Sequence, residues 1–82
     1  LPSVSQIRAA RGLLGWSRAE LADRSGVARN TLQRLEDGLV SPRSSTLEAL
    51  RDALAEAGVM FLASGPDGGE GVRRDARRPG QQ

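Results

Sequence analysis

The sequence predicts an all-α domain of four short helices, followed by a short β-hairpin and a disordered tail. Three observations support this prediction. Apolar residues recur at helical spacing along the first two thirds of the chain. Serine followed three residues later by glutamate or glutamine, the capping-box pattern, marks three helix starts. From Val59 onward this spacing is replaced by a short apolar run and a Gly-Pro-Asp-Gly-Gly turn.

The first helix is predicted over residues 4–14. Ser3 and Gln6 form a capping box, in which each side chain bonds the backbone N–H of the other residue. Gly15 is placed to end the helix. Trp16 follows, directly before the next cap, and we expect it to pack against the domain rather than to stack on bases. The inner face of this helix is predicted to be Ile7, Ala10 and Leu14.

The second and third helices are predicted on either side of a tight turn at Gly26. Ser17 and Glu20 form a capping box, so the second helix should begin directly after Ser17. The third helix should run over about residues 28–37, with Gly38 just beyond its end. Its inner side is predicted to be the Thr31 methyl group, Leu32 and Leu35. Its outer side is predicted to be Arg29, Asn30, Gln33 and Arg34.

The fourth helix is predicted over residues 46–57. Pro42 ends any earlier helical segment, Ser45 and Glu48 form a third capping box, and Gly58 follows the last helical residue. Leucines at i, i+3 and i+7 predict a buried face. These leucines are Leu47, Leu50 and Leu54.

The C-terminal part of the chain has a different character. The run Val59–Leu62 is apolar and favours a strand, the glycine-rich segment 65–69 favours a turn, and residues 71–73 could return as a second strand. An isolated hairpin is marginally stable in water, so we expect it to pack on the fourth helix. The remaining residues 74–82 are predicted to be a disordered basic tail, with a DNA-contacting arm as the alternative.

Composition limits the possible functions. The chain has 82 residues, which suits one domain, and a net charge of only +2, so the placement of charge must support any nucleic-acid partner. Cys, His and Lys are absent. The best candidates for catalysis are serines and carboxylates such as Asp67 and Glu70. No His or Lys is present to act as their base or charge partner. We therefore expect that the protein is not an enzyme and that it binds no cofactor, metal ion or small-molecule ligand. No apolar run is long enough to span a membrane, and we expect a cytoplasmic protein.

The segment 17–38 resembles the phage-repressor-like (XRE-type, lambda-repressor-like) helix-turn-helix DNA-binding family, and with the flanking helices the resemblance covers about residues 6–57. The residues that carry it are Ser17, Arg18, Glu20, Leu21, Ala22, Gly26, Val27, Thr31, Leu32, Glu36 and Gly38. The resemblance implies a DNA-binding domain over residues 1–58, with the β segment 59–73 as a possible dimerisation element and 74–82 as the tail.

In this family the third helix enters the major groove. Arginine, asparagine and glutamine can each bond two atoms of one base edge. The residues at the family's base-reading positions are Arg29, Asn30, Gln33 and Arg34. Phosphate contacts are expected from Ser17, Arg18, Thr31, Ser41 and Arg43. For Thr31 a packing role within the domain remains equally open.

The resemblance also implies an internal salt bridge between Arg11 and Glu36. Two residues depart from the family pattern. Ala28 replaces the usual Ser or Thr before the third helix, which removes a side-chain cap worth about 1 kcal/mol. Asp37 places a negative charge near the expected phosphate path, where it should repel DNA unless it points away.

These observations predict a sequence-specific transcriptional regulator that binds a pseudo-palindromic operator in double-stranded DNA as a homodimer. The expected dimer contacts are Val59, Met60, Phe61 and Leu62. The alternative is a protein-interaction module, such as an antitoxin or co-regulator, that reuses the fold and contacts its partner through the same strand. The fifth helix that is common in the family is absent from this pattern, so the dimer geometry stays open.

Overall fold

The computed structural model describes residues 1–75 of the chain. It contains four helices and a two-stranded antiparallel hairpin, as the sequence predicts. The elements are α1 (Val4–Leu14), α2 (Arg18–Ser25), α3 (Arg29–Glu36), α4 (Ser44–Glu56), β1 (Val59–Leu62) and β2 (Gly71–Arg74).

The start of α1 is a complete capping box. The Gln6 backbone N–H donates to Ser3 Oγ over 3.2 Å, and the Ser3 backbone N–H donates to Gln6 Oε1 over 2.9 Å. Gly15 ends the helix with φ 70°, a left-handed conformation that glycine adopts without a Cβ clash. The predicted bounds of α1 and both of its end signals are therefore confirmed.

At α2 only half of the predicted capping box forms. Ser17 Oγ accepts a hydrogen bond from the Glu20 backbone N–H over 3.1 Å. The Glu20 carboxylate, however, accepts from Arg24 one turn later over 3.2 Å. The hydroxyl cap alone is sufficient to start the helix at the predicted residue.

The predicted capping box of α4 is wrong. The helix begins at Ser44, two residues earlier than expected, with Arg43 at the N-cap position and no side-chain cap. Ser45 consequently lies inside the first turn, where its hydroxyl cannot serve as the cap. The helix ends at Glu56, and its three predicted leucines are buried.

The core is one cluster to which all four helices and β1 contribute. Its side chains are at most 9% exposed. The buried residues are Ile7, Ala10, Leu21, Ala22, Leu32, Leu35, Leu47, Leu50, Leu54 and Val59. Leu14 and Trp16, for which an inner position was expected, are partly buried and pack against this cluster.

The hairpin packs on the helices through both of its strands. β1 lies against α4, as predicted, and β2 lies against α1. Near the turn, Gln6 Nε2 donates to the carbonyl oxygens of Leu62 and Gly71 over 2.9 and 3.0 Å. At the open end, Arg74 Nη2 donates to the Leu13 carbonyl over 2.7 Å. The hairpin is thus attached to α1 at both ends.

The second strand is longer than predicted. Arg74 pairs with Val59 in the hairpin register, and the backbone N–H of Asp75 donates to the Gly58 carbonyl over 2.7 Å. These two residues therefore belong to the ordered hairpin and not to the tail. The rest of the predicted disordered tail falls on residues 76–82, outside the described residues.

Leu50 provides a test of the core. Its side chain is 0% exposed, so Leu50→Ala should lower the free energy of unfolding by about 2–5 kcal/mol. Leu50→Asp should abolish folding, because it buries an unpaired charge. Urea unfolding monitored by circular dichroism measures both effects. Leu39→Ala is the matched control, since Leu39 is 67% exposed and its truncation should change stability by about 0.5 kcal/mol or less.

Candidate nucleic-acid interface

The helices α2 and α3 form a compact pair joined by a three-residue turn. Gly26 adopts φ 77°, which reverses the chain after α2, and its N–H donates to the Ala22 carbonyl over 2.9 Å. Val27 is half-buried and packs against the core, and its N–H donates to Ser25 Oγ over 3.2 Å. The turn therefore fixes how α3 leaves α2.

The third helix has one buried face and one exposed face. Leu32 and Leu35 are 0% and 2% exposed and anchor the helix in the core. The opposite side chains are exposed, as predicted, and we call them the reader ridge. The reader ridge consists of Arg29, Asn30, Gln33 and Arg34. Burying the leucine face directs this ridge toward solvent.

The side chains of the reader ridge are nearly free of internal partners. Within residues 1–75, those of Asn30, Gln33 and Arg34 form no hydrogen bond or ion pair. Arg29 makes one loose contact, from Nη2 to Asp23 Oδ2 over 3.4 Å, and both side chains are about two-thirds exposed. The donors and acceptors of the ridge are therefore available to a ligand.

Thr31 lies on the exposed side of α3, and its predicted place in the inner apolar set is wrong. Position 31 lies at the border between the two faces of the helix, and the larger leucines at 32 and 35 fill the interior. Its side chain lines an open cleft of about 530 Å³ between α3 and the start of α4. Ser41, Arg43 and Thr46 line the same cleft.

This cleft brings together three of the five predicted phosphate contacts, Thr31, Ser41 and Arg43. The sequence reasoning did not include Thr46 or the uncapped N-terminus of α4. Free backbone N–H groups at a helix start attract anions. The available signal was the group of hydroxyl residues Ser41, Ser44, Ser45 and Thr46, but the helix begins at Ser44 without a side-chain cap from any of them.

The other two predicted phosphate contacts open α2. Ser17 is exposed and caps the helix. Arg18 is engaged within the domain: its Nε donates to Glu36 Oε1 over 3.0 Å, and its Nη2 donates to Asp37 Oδ1 over 3.1 Å. Asp37, for which repulsion of DNA was expected, therefore has its charge balanced by a neighbouring arginine in the free protein.

Glu36 is the centre of this network. Its side chain is 0% exposed and accepts from Arg11 Nε and Nη2 over 3.1 and 2.8 Å. The expected Arg11–Glu36 salt bridge is thus present. Arg11 Nη1 also donates to the Trp16 carbonyl over 3.1 Å. Glu36 and its two arginines therefore connect α1, the loop after it, α2 and α3.

The network changes the ionisation of both partners. Burial by itself would raise the pKa of Glu36, but the hydrogen bonds and charges of Arg11 and Arg18 outweigh burial and hold the pKa below its ordinary value. The hydrogen bond to Glu36 is the main cause that raises the pKa of Arg18, with Asp37 adding to it. Both groups therefore stay charged at neutral pH.

Trp16 packs within the domain. Its side chain is partly buried against the core, and the Arg24 guanidinium lies 4.6 Å from the centre of its ring. A cation over an aromatic face at this distance is attractive. The expected packing role of Trp16 agrees with this position.

Within the described part of the chain, no three His, Cys, Asp or Glu side chains are grouped so as to hold a metal ion. In residues 1–75 no helix has both the length and the apolar character needed to cross a membrane.

The fold and the exposed ridge define a DNA-binding helix-turn-helix domain of the kind found in transcriptional regulators. Residues 7–56, more than half of the chain, match a family model described as helix-turn-helix. The chain belongs to the XRE-type, lambda-repressor-like helix-turn-helix family. A search of curated proteins found no match. Members of this family usually have no catalytic activity.

The network around Glu36 predicts a pH-dependent stability. Because the pKa of Glu36 is lower in the folded than in the unfolded chain, its stabilisation is complete above the unfolded value of about 4.3 and is lost as pH falls through the folded value. At neutral pH, Glu36→Gln should lower the free energy of unfolding by about 3 kcal/mol, because Arg11 loses its carboxylate.

Urea unfolding of the wild type and Glu36→Gln at a series of pH values measures this dependence. The difference between them should shrink steadily below about pH 4. A constant difference down to acid pH would contradict the ionic account of the network. Glu48→Gln is the matched control, since Glu48 is exposed on α4, and it should unfold like the wild type at neutral pH.

Proposed function

We propose that this protein is a sequence-specific transcriptional regulator that binds a pseudo-palindromic operator as a homodimer, with α3 in the major groove. The observation that supports this most directly is the reader ridge, exposed and almost unpaired on a helix whose other face is buried. We also propose that the protein acts in the cytoplasm.

The residue types of the ridge suit base recognition. Arg29 and Arg34 can each donate two hydrogen bonds to guanine O6 and N7, and Asn30 and Gln33 can each bond adenine N6 and N7. Each such pair discriminates against a wrong base by about 1–3 kcal/mol. A ridge that carries four of these side chains on two helical turns can read several neighbouring base pairs.

The surroundings of the ridge suit the sugar-phosphate backbone. The cleft with Thr31, Ser41 and Arg43 supplies two hydroxyl groups and a guanidinium beside the uncapped start of α4. Ser17 and Arg18 open α2. Contacts of this kind fix the orientation of a protein on the duplex and make binding sensitive to salt, but they carry little sequence information.

We place the dimer contact on the hairpin. Met60 and Leu62 are each 36% exposed, whereas Val59 is buried in the core and Phe61 is half-buried against it. Of the four expected contacts, Met60 and Leu62 are therefore the two exposed side chains. Within residues 1–75 the sheet has two strands, so each strand also keeps one edge without a strand partner.

Selection of bound fragments from random DNA is the most informative experiment. The proposal predicts two related half-sites whose centres lie about 34 Å apart, one helical turn. Titration of the selected duplex over a salt series should show a steep decrease of affinity with salt. Failure to enrich any sequence, together with weak binding at low salt, would contradict the proposal.

Substitution in the reader ridge should weaken specific binding. Arg29→Ala or Arg34→Ala should each cost about 1–3 kcal/mol of specific binding free energy and relax the preference at one base pair. Fluorescence anisotropy with the selected duplex measures the loss, and thermal unfolding shows that the fold is retained. Arg51→Ala is the matched control, because Arg51 lies on α4 and pairs with its neighbour Asp52. Unchanged affinity in both ridge variants would assign base reading to another surface.

Substitution on the hairpin should separate the dimer. A buried glutamate without a partner opposes association, so Met60→Glu or Leu62→Glu should give a monomer in sedimentation equilibrium at concentrations where the wild type is a dimer. Leu39→Glu introduces the same charge at an exposed leucine far from the hairpin in sequence and should leave the dimer intact. A monomeric wild type at high micromolar concentration, alone and on DNA, would exclude this dimer.

The exposed pair Met60 and Leu62 also favours a second candidate, a protein-interaction module such as an antitoxin or co-regulator. In that case the hairpin substitutions would abolish capture of the partner protein, while the ridge substitutions would have no effect. The reader ridge favours DNA, because an interaction module gives no reason for four base-reading side chains that are almost unpaired.

A further inference from the structure

We propose that Asp37 holds Arg18 in the free protein and competes with a DNA phosphate for it, so that Asp37 lowers the affinity for DNA without changing the preferred sequence. This inference rests on the proposed function, because it needs a duplex to approach the start of α2.

The two carboxylates that bind Arg18 differ in their environment. Glu36 is 0% exposed and is also held by both donors of Arg11, so it stays in place. Asp37 is 40% exposed, and Arg18 is its one side-chain partner within residues 1–75. Of the two contacts of Arg18, the one to Asp37 is therefore the one that can open.

The guanidinium group of Arg18 can exchange one anion for another. Its Nε stays bonded to Glu36 over 3.0 Å, which fixes the base of the group. Its Nη2 points to Asp37, and the side chain is 37% exposed. Carboxylate and phosphate oxygens both fit the donors of a guanidinium. The same donor can therefore bind Asp37 in the free protein and a phosphate in the complex.

Asp37 opposes DNA in two ways. Arg18 must leave Asp37 before its Nη2 can bind a phosphate, and the released Asp37 carboxylate then lies near a second negative charge. Neither effect depends on base sequence, since both concern the phosphate backbone. Asp37 thus reduces specific and non-specific binding by the same factor.

The test uses Asp37→Asn and fluorescence anisotropy with a mixed-sequence B-DNA duplex. We expect the variant to bind about fivefold more tightly, the equivalent of about 1 kcal/mol for an exposed ion pair. Because Arg18 binds the same phosphate in both complexes, the slope of the logarithm of affinity against the logarithm of salt concentration should change by much less than about 0.9, the contribution of one phosphate contact. Asp52→Asn removes the same charge from the exposed Arg51–Asp52 pair on α4 and should change neither value.

The decisive comparison repeats the substitution in an Arg18→Gln background. The glutamine side chain keeps a polar donor for Glu36 but has no charge for a phosphate. In this background Asp37→Asn removes only the repulsion between the Asp37 carboxylate and the duplex, so its gain in affinity should be clearly smaller than in the wild type. An equal gain in both backgrounds would overturn the proposal, because it would show a general effect of charge. An unchanged or weaker affinity of Asp37→Asn would also overturn it.

The two proposals fail in different ways. If the wild type binds no duplex at low salt, the proposed function itself fails. If the wild type binds DNA and the Arg29→Ala and Arg34→Ala variants behave as predicted, a negative result at Asp37 rejects only the competition for Arg18. Thermal unfolding of all variants checks that differences in binding do not come from loss of the fold.

Discussion

The structure depends on one buried carboxylate. Glu36 is the last residue of α3 and lies fully inside the domain, where an ionised group is stable only with close partners. Arg11 from α1 and Arg18 from α2 supply them. Because Glu36 is joined to both α1 and α2, the end of α3 has a fixed position relative to these two helices. The direction of the reader ridge follows from that position together with the buried Leu32 and Leu35.

The hairpin extends this support to the far side of α1. Gln6, near the start of α1, bonds the hairpin close to its turn. Arg74, the last residue of β2, bonds the Leu13 carbonyl near the end of α1. The same helix carries Arg11, which holds Glu36. The surface proposed for dimerisation and the surface proposed for DNA are therefore attached to one helix, so a dimer formed through the hairpin would set the spacing of two reader ridges.

The sequence predicts the features that depend on near neighbours. The cap at Ser3, the glycine at Gly15 and the alternation of buried leucines with the ridge are decided within one or two helical turns, and each is confirmed. The start of α4 was misplaced because the capping rule selects Ser45, whereas the helix begins at Ser44 with Arg43 at the N-cap position and no side-chain cap. The Arg18–Asp37 contact spans 19 positions, and no periodicity or cap specifies it, so only the tertiary structure reveals it.

The distribution of charge explains how a chain with a net charge of only +2 can suit DNA. Non-specific affinity grows with the number of phosphates that are neutralised, whereas discrimination between bases comes from hydrogen bonds in the groove. In the free protein, Asp23 and Asp37 lie beside Arg29 and Arg18 and offset part of the positive charge around the ridge.

These two acids would act differently on a bound duplex. Asp37 faces an arginine that is expected to touch only phosphate. Under the proposed competition it would lower the affinity for every sequence by one factor and leave the ratio of specific to non-specific affinity unchanged. That ratio decides how an operator competes with the many other sites of a genome. Asp23 faces Arg29, a proposed base reader. Arg29 would have to give up its contact with Asp23 to bind a base, so Asp23 would influence sequence preference as well. Under this proposal a change at Asp37 would shift the protein concentration at which the operator fills, whereas a change at Asp23 would also alter which base pairs are preferred.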